Sequence, residues 1–91
     1  MLVRAHVFVS GRVQGVLYRW ETLRKARSLD VKGWVKNLPD GRVEAMLEGE
    51  EEKVNKLLEW MQIGPEMAVV KSLDVDWQKY TGEFSNFRIV R

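Results

Sequence analysis

The 91-residue chain contains no cysteine. Disulfides, a thiol nucleophile and thiolate metal ligation are therefore excluded, and stability must come from packing. There is one histidine, and the carboxylates do not recur at metal-ligand spacing, so no zinc or iron site is expected. No stretch approaches the roughly 18 consecutive apolar residues of a membrane-crossing helix. The start of the chain carries Arg4 within its first apolar run and lacks the form of a signal peptide, so the protein reads as cytoplasmic. An excess of one charge is also missing: 15 basic against 13 acidic residues leave a formal net charge of +2, which points away from a dedicated nucleic-acid binder. Amides are scarce, with three Asn and three Gln among 31% charged residues, a balance that leans toward a thermophilic source. No repeat, linker or low-complexity tract interrupts the chain.

What remains is a soluble composition, 45% hydrophobic, on a chain long enough for one core and too short for two. Residues 1–91 are thus expected to form a single domain. Leu2 to Ser10 alternates, with Val3, Ala5, Val7 and Val9 on a core face and Arg4, His6, Phe8 and Ser10 on a largely wet one, as a strand requires. His6 reads as a surface histidine. From about Tyr18 to Leu29 the spacing is helical, with an apolar stripe at Leu23, Ala26 and Leu29. Val31 to Asn37 is a second strand whose odd positions share a face, so Asn37 is the polar end of an apolar row. Arg42 to Glu48 returns as a third strand across Pro39-Asp40-Gly41, with Gly49 ending it. Glu50, Glu51 and Glu52 fill the first turn of a second helix with a stripe at Val54, Leu57, Leu58 and Met61, stopped by Gly64-Pro65. Val69 to Gln78 reads as a strand with Leu73, Val75 and Trp77 on one face. A polar turn from Lys79 to Asn86 leads to a short last strand at Phe87 to Val90. The four tryptophans are expected to pack.

Chemistry concentrates between the first strand and the first helix, in Gly11-Arg12-Val13-Gln14-Gly15-Val16-Leu17-Tyr18-Arg19. A glycine-bracketed loop entering a helix can turn its amides toward one point and add the free N–H groups of the first helical turn, which suits a phosphate. Arg19 extends the helix's apolar stripe back by one turn, so its guanidinium should lean over the loop from a half-buried position. On spacing alone Arg19 reads equally as an anion ligand or as a surface arginine paired with Glu21 or a C-terminal carboxylate. Asn37 reads in the same way as a turn-starting asparagine, because Asn-Leu-Pro-Asp-Gly is strong turn chemistry.

The stretch Gly11 to Arg19, GRVQGVLYR, resembles the acylphosphatase signature. A second stretch, Gly33-Trp34-Val35-Lys36-Asn37-Leu38-Pro39-Asp40-Gly41-Arg42-Val43-Glu44-Ala45 followed by Glu48-Gly49, resembles that family's other motif, and Gly64-Pro65 and Phe87-Arg88-Ile89 fit its ending. Leu17 fills a variable slot, Tyr18 replaces a more frequent phenylalanine, and Asp30 stands where glycine is common. The resemblance implies hydrolysis of acyl phosphates to a carboxylate and inorganic phosphate, without metal or cofactor. It assigns phosphate binding to Gln14, Gly15, Val16, Leu17, Tyr18 and Arg19, and catalysis to Arg19 and Asn37, the latter orienting the attacking water. With this order of elements it implies an α+β, ferredoxin-like two-layer sandwich: an antiparallel sheet of about five strands, the last one short, with two helices on one face. The partners expected are a small acyl phosphate substrate and its phosphate product, with no nucleic acid and no membrane, acting on a monomer. The alternatives are a non-catalytic phosphate- or carbamoyl-phosphate-binding module, as in larger hydrogenase-maturation proteins, and an RNA-binding sheet. Glu44 and Glu48 on the open face of the third strand speak against the last.

Overall fold

The computed structural model describes residues 1–91. β1 (Leu2–Arg12) leads to α1 (Tyr18–Ser28), β2 (Lys32–Asn37), β3 (Val43–Glu50), α2 (Glu51–Met61), β4 (Val69–Gln78) and β5 (Phe87–Ile89). The sheet order is β4-β1-β3-β2-β5. Its first four strands with the two helices form the ferredoxin-like plan, and β5 is added at one edge. Alternation along β1 is strict: Ala5, Val7 and Val9 have no exposed surface, and with Val35, Val43, Ala45 and Leu47 they make a floor under Leu23 and Ala26 of α1 and Val54, Leu57, Leu58 and Met61 of α2. Both helices lie on this face because only here does each find apolar area to remove from water.

Three expectations change. The sheet is mixed, not antiparallel throughout, because β5 pairs with β2 in parallel. β4 runs antiparallel to β1, and β1 and β2 both run antiparallel to β3. The 79–86 segment therefore starts at the end of the sheet where β1 and β2 begin, and a strand entering from there must point the way β2 points. Gly49 does not end β3; it pairs with Val3, and the strand runs on to Glu50, which occupies the N-cap position of α2. Gly11 belongs to β1 and not to the loop. The β1–β4 register shifts between Ser10 and Gly11, and a Cβ at Gly11 would stand 2.1 Å from the Val69 carbonyl oxygen.

The wet face is also drier than alternation predicts. Glu48 is only 2% exposed. It accepts hydrogen bonds from the Thr81 N–H (2.9 Å), the Arg4 guanidinium (3.0 Å), the Thr81 hydroxyl (3.0 Å) and the Gly82 N–H (3.1 Å). Arg4 also pairs with Glu83 at 2.7 Å and lies over the Phe84 ring. Glu48 is thus the peg that holds the 79–86 segment across the sheet and directs β5 to its place.

Burial by itself would raise the Glu48 pKa, but the hydrogen bonds from Thr81, Arg4 and Gly82 outweigh it and hold the carboxyl below its ordinary range. A depressed carboxyl gives stability that is complete above its unfolded pKa and is lost as pH falls through the folded one. Glu48→Gln should therefore cost about 3 kcal/mol at pH 7, at the low end for breaking a buried ion pair because Arg4 keeps Glu83. The difference from the parent protein should shrink below about pH 4.5, as the parent loses the same charge. Urea unfolding of both proteins across pH 3 to 8 measures it.

Candidate active site

Residues 13–17 must carry the chain from β1 into α1. Val13 and Val16 turn inward, 1% and 7% exposed, and anchor the loop on the core. Gly15 (φ 74) and Leu17 (φ 66) take left-handed backbone. Left-handed residues on either side of Val16 turn neighbouring N–H groups toward a common side, an arrangement that receives anions. Leu17 is the N-cap of α1 and supplies no side-chain cap, so the amides of the first turn stay open. From Gly15 to Arg19 no amide donates to a protein acceptor. A Cβ at Gly15 would meet nothing within 4 Å; the backbone angle, not crowding, calls for glycine there.

Tyr18 fixes the start of α1. Its ring is buried, its hydroxyl donates to the Met61 carbonyl at 2.7 Å, and it packs against Trp60 at 5.8 Å between ring centres. Burial pushes its phenol well above the ordinary value, so it acts as a fixed donor. Arg19 is half-buried on the wall of a cleft of about 640 Å³ shared with Gly15, Leu17, Trp20, Ile89 and Arg91. It has no ion-pair partner: Glu21, the rival partner, reaches Arg24 at 3.7 Å instead. A guanidinium beside open amides with no carboxylate in ion-pair contact makes a strongly anion-attracting corner.

Gln14, which the resemblance assigns to phosphate, also ties the loop to the sheet. Its side-chain Nε2 donates to the carbonyls of Leu38 (2.8 Å) and Arg42 (2.9 Å), which flank the β2–β3 turn. The loop is thereby clamped to the hairpin that begins at Asn37. Asn37 pairs with Val43, which pairs with Val9, so it lies on the helix-covered face at the end where β1 leaves the sheet. It is not on the cleft wall itself. It stands two residues beyond Val35, whose parallel partner Ile89 is on that wall. Its Oδ1 is buried and has no hydrogen-bond partner, an unusual condition for a buried polar atom. His6 is on the opposite face, half-buried and 2.6 Å from Glu44 Oε2 between Phe8 and Trp34, so it is neither a surface group nor near the cleft. No group of three or more histidines and carboxylates is placed to hold a metal ion.

From sequence, Trp20 and Arg91 have no place at the site, and Ile89 is named only as part of the closing motif. Trp20 is 52% exposed, contrary to the packing role expected of it. The available signal was its place directly after Arg19, off the apolar stripe of α1.

A leucine in left-handed backbone costs roughly 1–2 kcal/mol, and at 68% exposure its side chain recovers little of that by burial. Leu17→Gly should therefore leave stability unchanged or raise it by up to about 1 kcal/mol, the glycine's greater freedom when unfolded offsetting part of the relief. Thermal melting measures this, and a loss beyond about 1 kcal/mol would show that the Leu17 side chain does more for the fold than its exposure implies.

A sequence profile of the acylphosphatase family matches residues 5–89. An acylphosphatase of Syntrophus aciditrophicus is 51% identical over 90 residues, covering 99% of this chain and 94% of the relative. The crystal structure of an acylphosphatase from Bacillus subtilis superposes with a TM-score of 0.94 at 34% identity over the full length of both chains. HypF of T. kodakarensis also contains a similar fold, with a TM-score of 0.85 at 28% identity, but 98% of this chain corresponds to only 12% of that one. A match over nearly the whole length, at the level of both sequence and fold, places this chain in the acylphosphatase family.

Proposed function

We infer that Arg19, Asn37 and the amides of the 15–19 loop carry the family's reaction in this chain, the hydrolysis of an acyl phosphate to a carboxylate and inorganic phosphate. The observation that supports it best is the run of open amides beside a half-buried arginine that no carboxylate neutralises. The phosphoryl oxygens sit against the amides of Gly15 to Arg19, with Gln14 holding the loop in place, and the Arg19 guanidinium takes up their charge. Donors fixed before the reaction need no reorganisation as charge redistributes over the phosphoryl group, which is where electrostatic catalysis gains most.

Asn37 orients the nucleophile. Its free Oδ1 can accept a hydrogen bond from a water, whose oxygen attacks phosphorus. The bond from phosphorus to the acyl oxygen breaks with its electron pair leaving on the carboxylate, and the water's proton passes to a phosphoryl oxygen. A protein base is unnecessary because the carboxylate is a good leaving group, so positioning and charge stabilisation carry the acceleration. The guanidinium does the charge work that a metal does elsewhere, and we assign no metal or cofactor.

A non-catalytic phosphate or carbamoyl phosphate module would use the same amides and Arg19 but would have no use for the buried oxygen of Asn37. That atom favours the enzyme. Nucleic acid is disfavoured at the open face of the sheet, where Glu44, Glu48, Asp74 and Asp76 line up opposite β1 positions. No helix is long and apolar enough to cross a membrane. We take the chain to act as a single-domain cytoplasmic monomer.

With EDTA present, the parent protein should turn over acetyl phosphate at its full rate, with inorganic phosphate as a competitive inhibitor. Arg19→Gln should lose phosphate affinity and at least 10²-fold in kcat/KM, and Arg19→Lys should recover little, because a point charge replaces the planar fork. Steady-state kinetics decide it. A near-normal Arg19→Lys enzyme, or activity restored only by a divalent ion, would contradict the assignment.

A further inference from the structure

The cleft beside Arg19 is larger than phosphate alone requires, and most of its lining residues are apolar. At about 640 Å³ it falls in the range of roughly 300–1,000 Å³ typical of sites that enclose a small organic molecule. Three of its wall residues are apolar side chains left in water: Leu17 (68% exposed), Trp20 (52%) and Ile89 (37%). They come from the loop, the first turn of α1 and β5, so no single element's periodicity accounts for their meeting. Leu17 stands there in left-handed backbone, a strained conformation of the sort found at ligand clamps and active sites.

We propose that Trp20, with Leu17 and Ile89, forms the acyl-group subsite of this enzyme and makes it favour bulky apolar acyl phosphates, aromatic ones above all, over small ones. The proposal rests on the phosphate cradle described above. The occupant follows from connectivity, since the acyl carbon is only two bonds from phosphorus. A phosphoryl group held at the amides of residues 15–19 must send its acyl group along a wall of the same cleft. The apolar wall is the one that removes both its own surface and the acyl group's from water. A planar ring fits best, because the indole offers a large, rigid face at small conformational cost.

Trp20 follows Arg19 directly and is not itself part of the cradle, so phosphate affinity and acyl preference are separable. The test compares kcat/KM for benzoyl phosphate and acetyl phosphate, with Ki for inorganic phosphate, in the parent protein, Trp20→Ala, Trp20→Phe and Leu17→Gly. Trp20→Ala should lower the benzoyl-to-acetyl ratio of kcat/KM about 10-fold, the low end for removing a hydrophobic contact from a specificity pocket. Phosphate Ki should change less than twofold, Trp20→Phe should restore most of the ratio, and Leu17→Gly should lower it by a smaller factor. A ratio within twofold of the parent in Trp20→Ala, or an equal fall for both substrates, would overturn the subsite while leaving the cradle intact. Failure of phosphate to compete in the parent protein would overturn the cradle and the subsite with it.

Discussion

Val9, Val43 and Asn37 lie level across the three central strands, and on this register the site depends. It places the exit of β1 and the end of β2 at the same end of the sheet and on the same face. A shift of one residue in β2 would send Asn37 to the open face and Lys36 inward, because side-chain direction alternates along a strand. The buried row of Val31, Gly33 and Val35 makes such a slip expensive, since it would expose their apolar surface and bury Lys32, Trp34 and Lys36 in their place. Core packing and the placement of Asn37 are therefore one constraint, and the Gln14 amide, bonded to carbonyls on both sides of the turn, carries it from the sheet into the loop.

The molecule puts two arginines to opposite uses. Arg4 is satisfied: Glu48, Glu83, Gln78 and Thr81 accept its hydrogen bonds, and its role is to hold the 79–86 segment. Arg19 is left without a carboxylate at a place where amides already gather positive potential. Two anion-favouring devices would be a liability in a purely structural site, where one added carboxylate would relieve the repulsion. In a phosphate site they are the stored part of the interaction, ready before the ligand arrives. The carboxylates Glu44, Glu48, Asp74 and Asp76 are kept on the far face of the sheet, where they do not compete for Arg19.

Much of the fold was legible because it follows from period. The alternation of β1, the stripe of α2 and the bounds of β4 at Val69 and Gln78 each answer to a pattern of apolar residues. The direction of β5 was not legible, because three residues carry too little pattern and a peg from another strand, Glu48, decides the route. Backbone handedness was also hidden at Leu17 and at Asp30 (φ 57), whose side chains give no hint of it beyond the glycine expected at position 30. At the site, spacing placed Arg19 and Asn37 on the correct faces but left their roles undecided; the motif resemblance supplied those roles. The Gln14 clamp and the exposed Trp20 depend on contacts between segments far apart in sequence or on open space above a helix, and neither leaves a mark on periodicity.

The central claim is a division of labour in which Arg19 and the amides hold phosphate while Asn37 serves only the water. Asn37→Ala separates the two, provided its melting temperature shows that the turn after β2 is intact. Phosphate is present in substrate, transition state and product, whereas the placed water matters only on the way to the transition state. The account predicts a folded protein whose Ki for inorganic phosphate matches the parent within about twofold and whose kcat falls by on the order of 10²-fold or more. Phosphate affinity falling in parallel with kcat, or kcat unchanged, would contradict it.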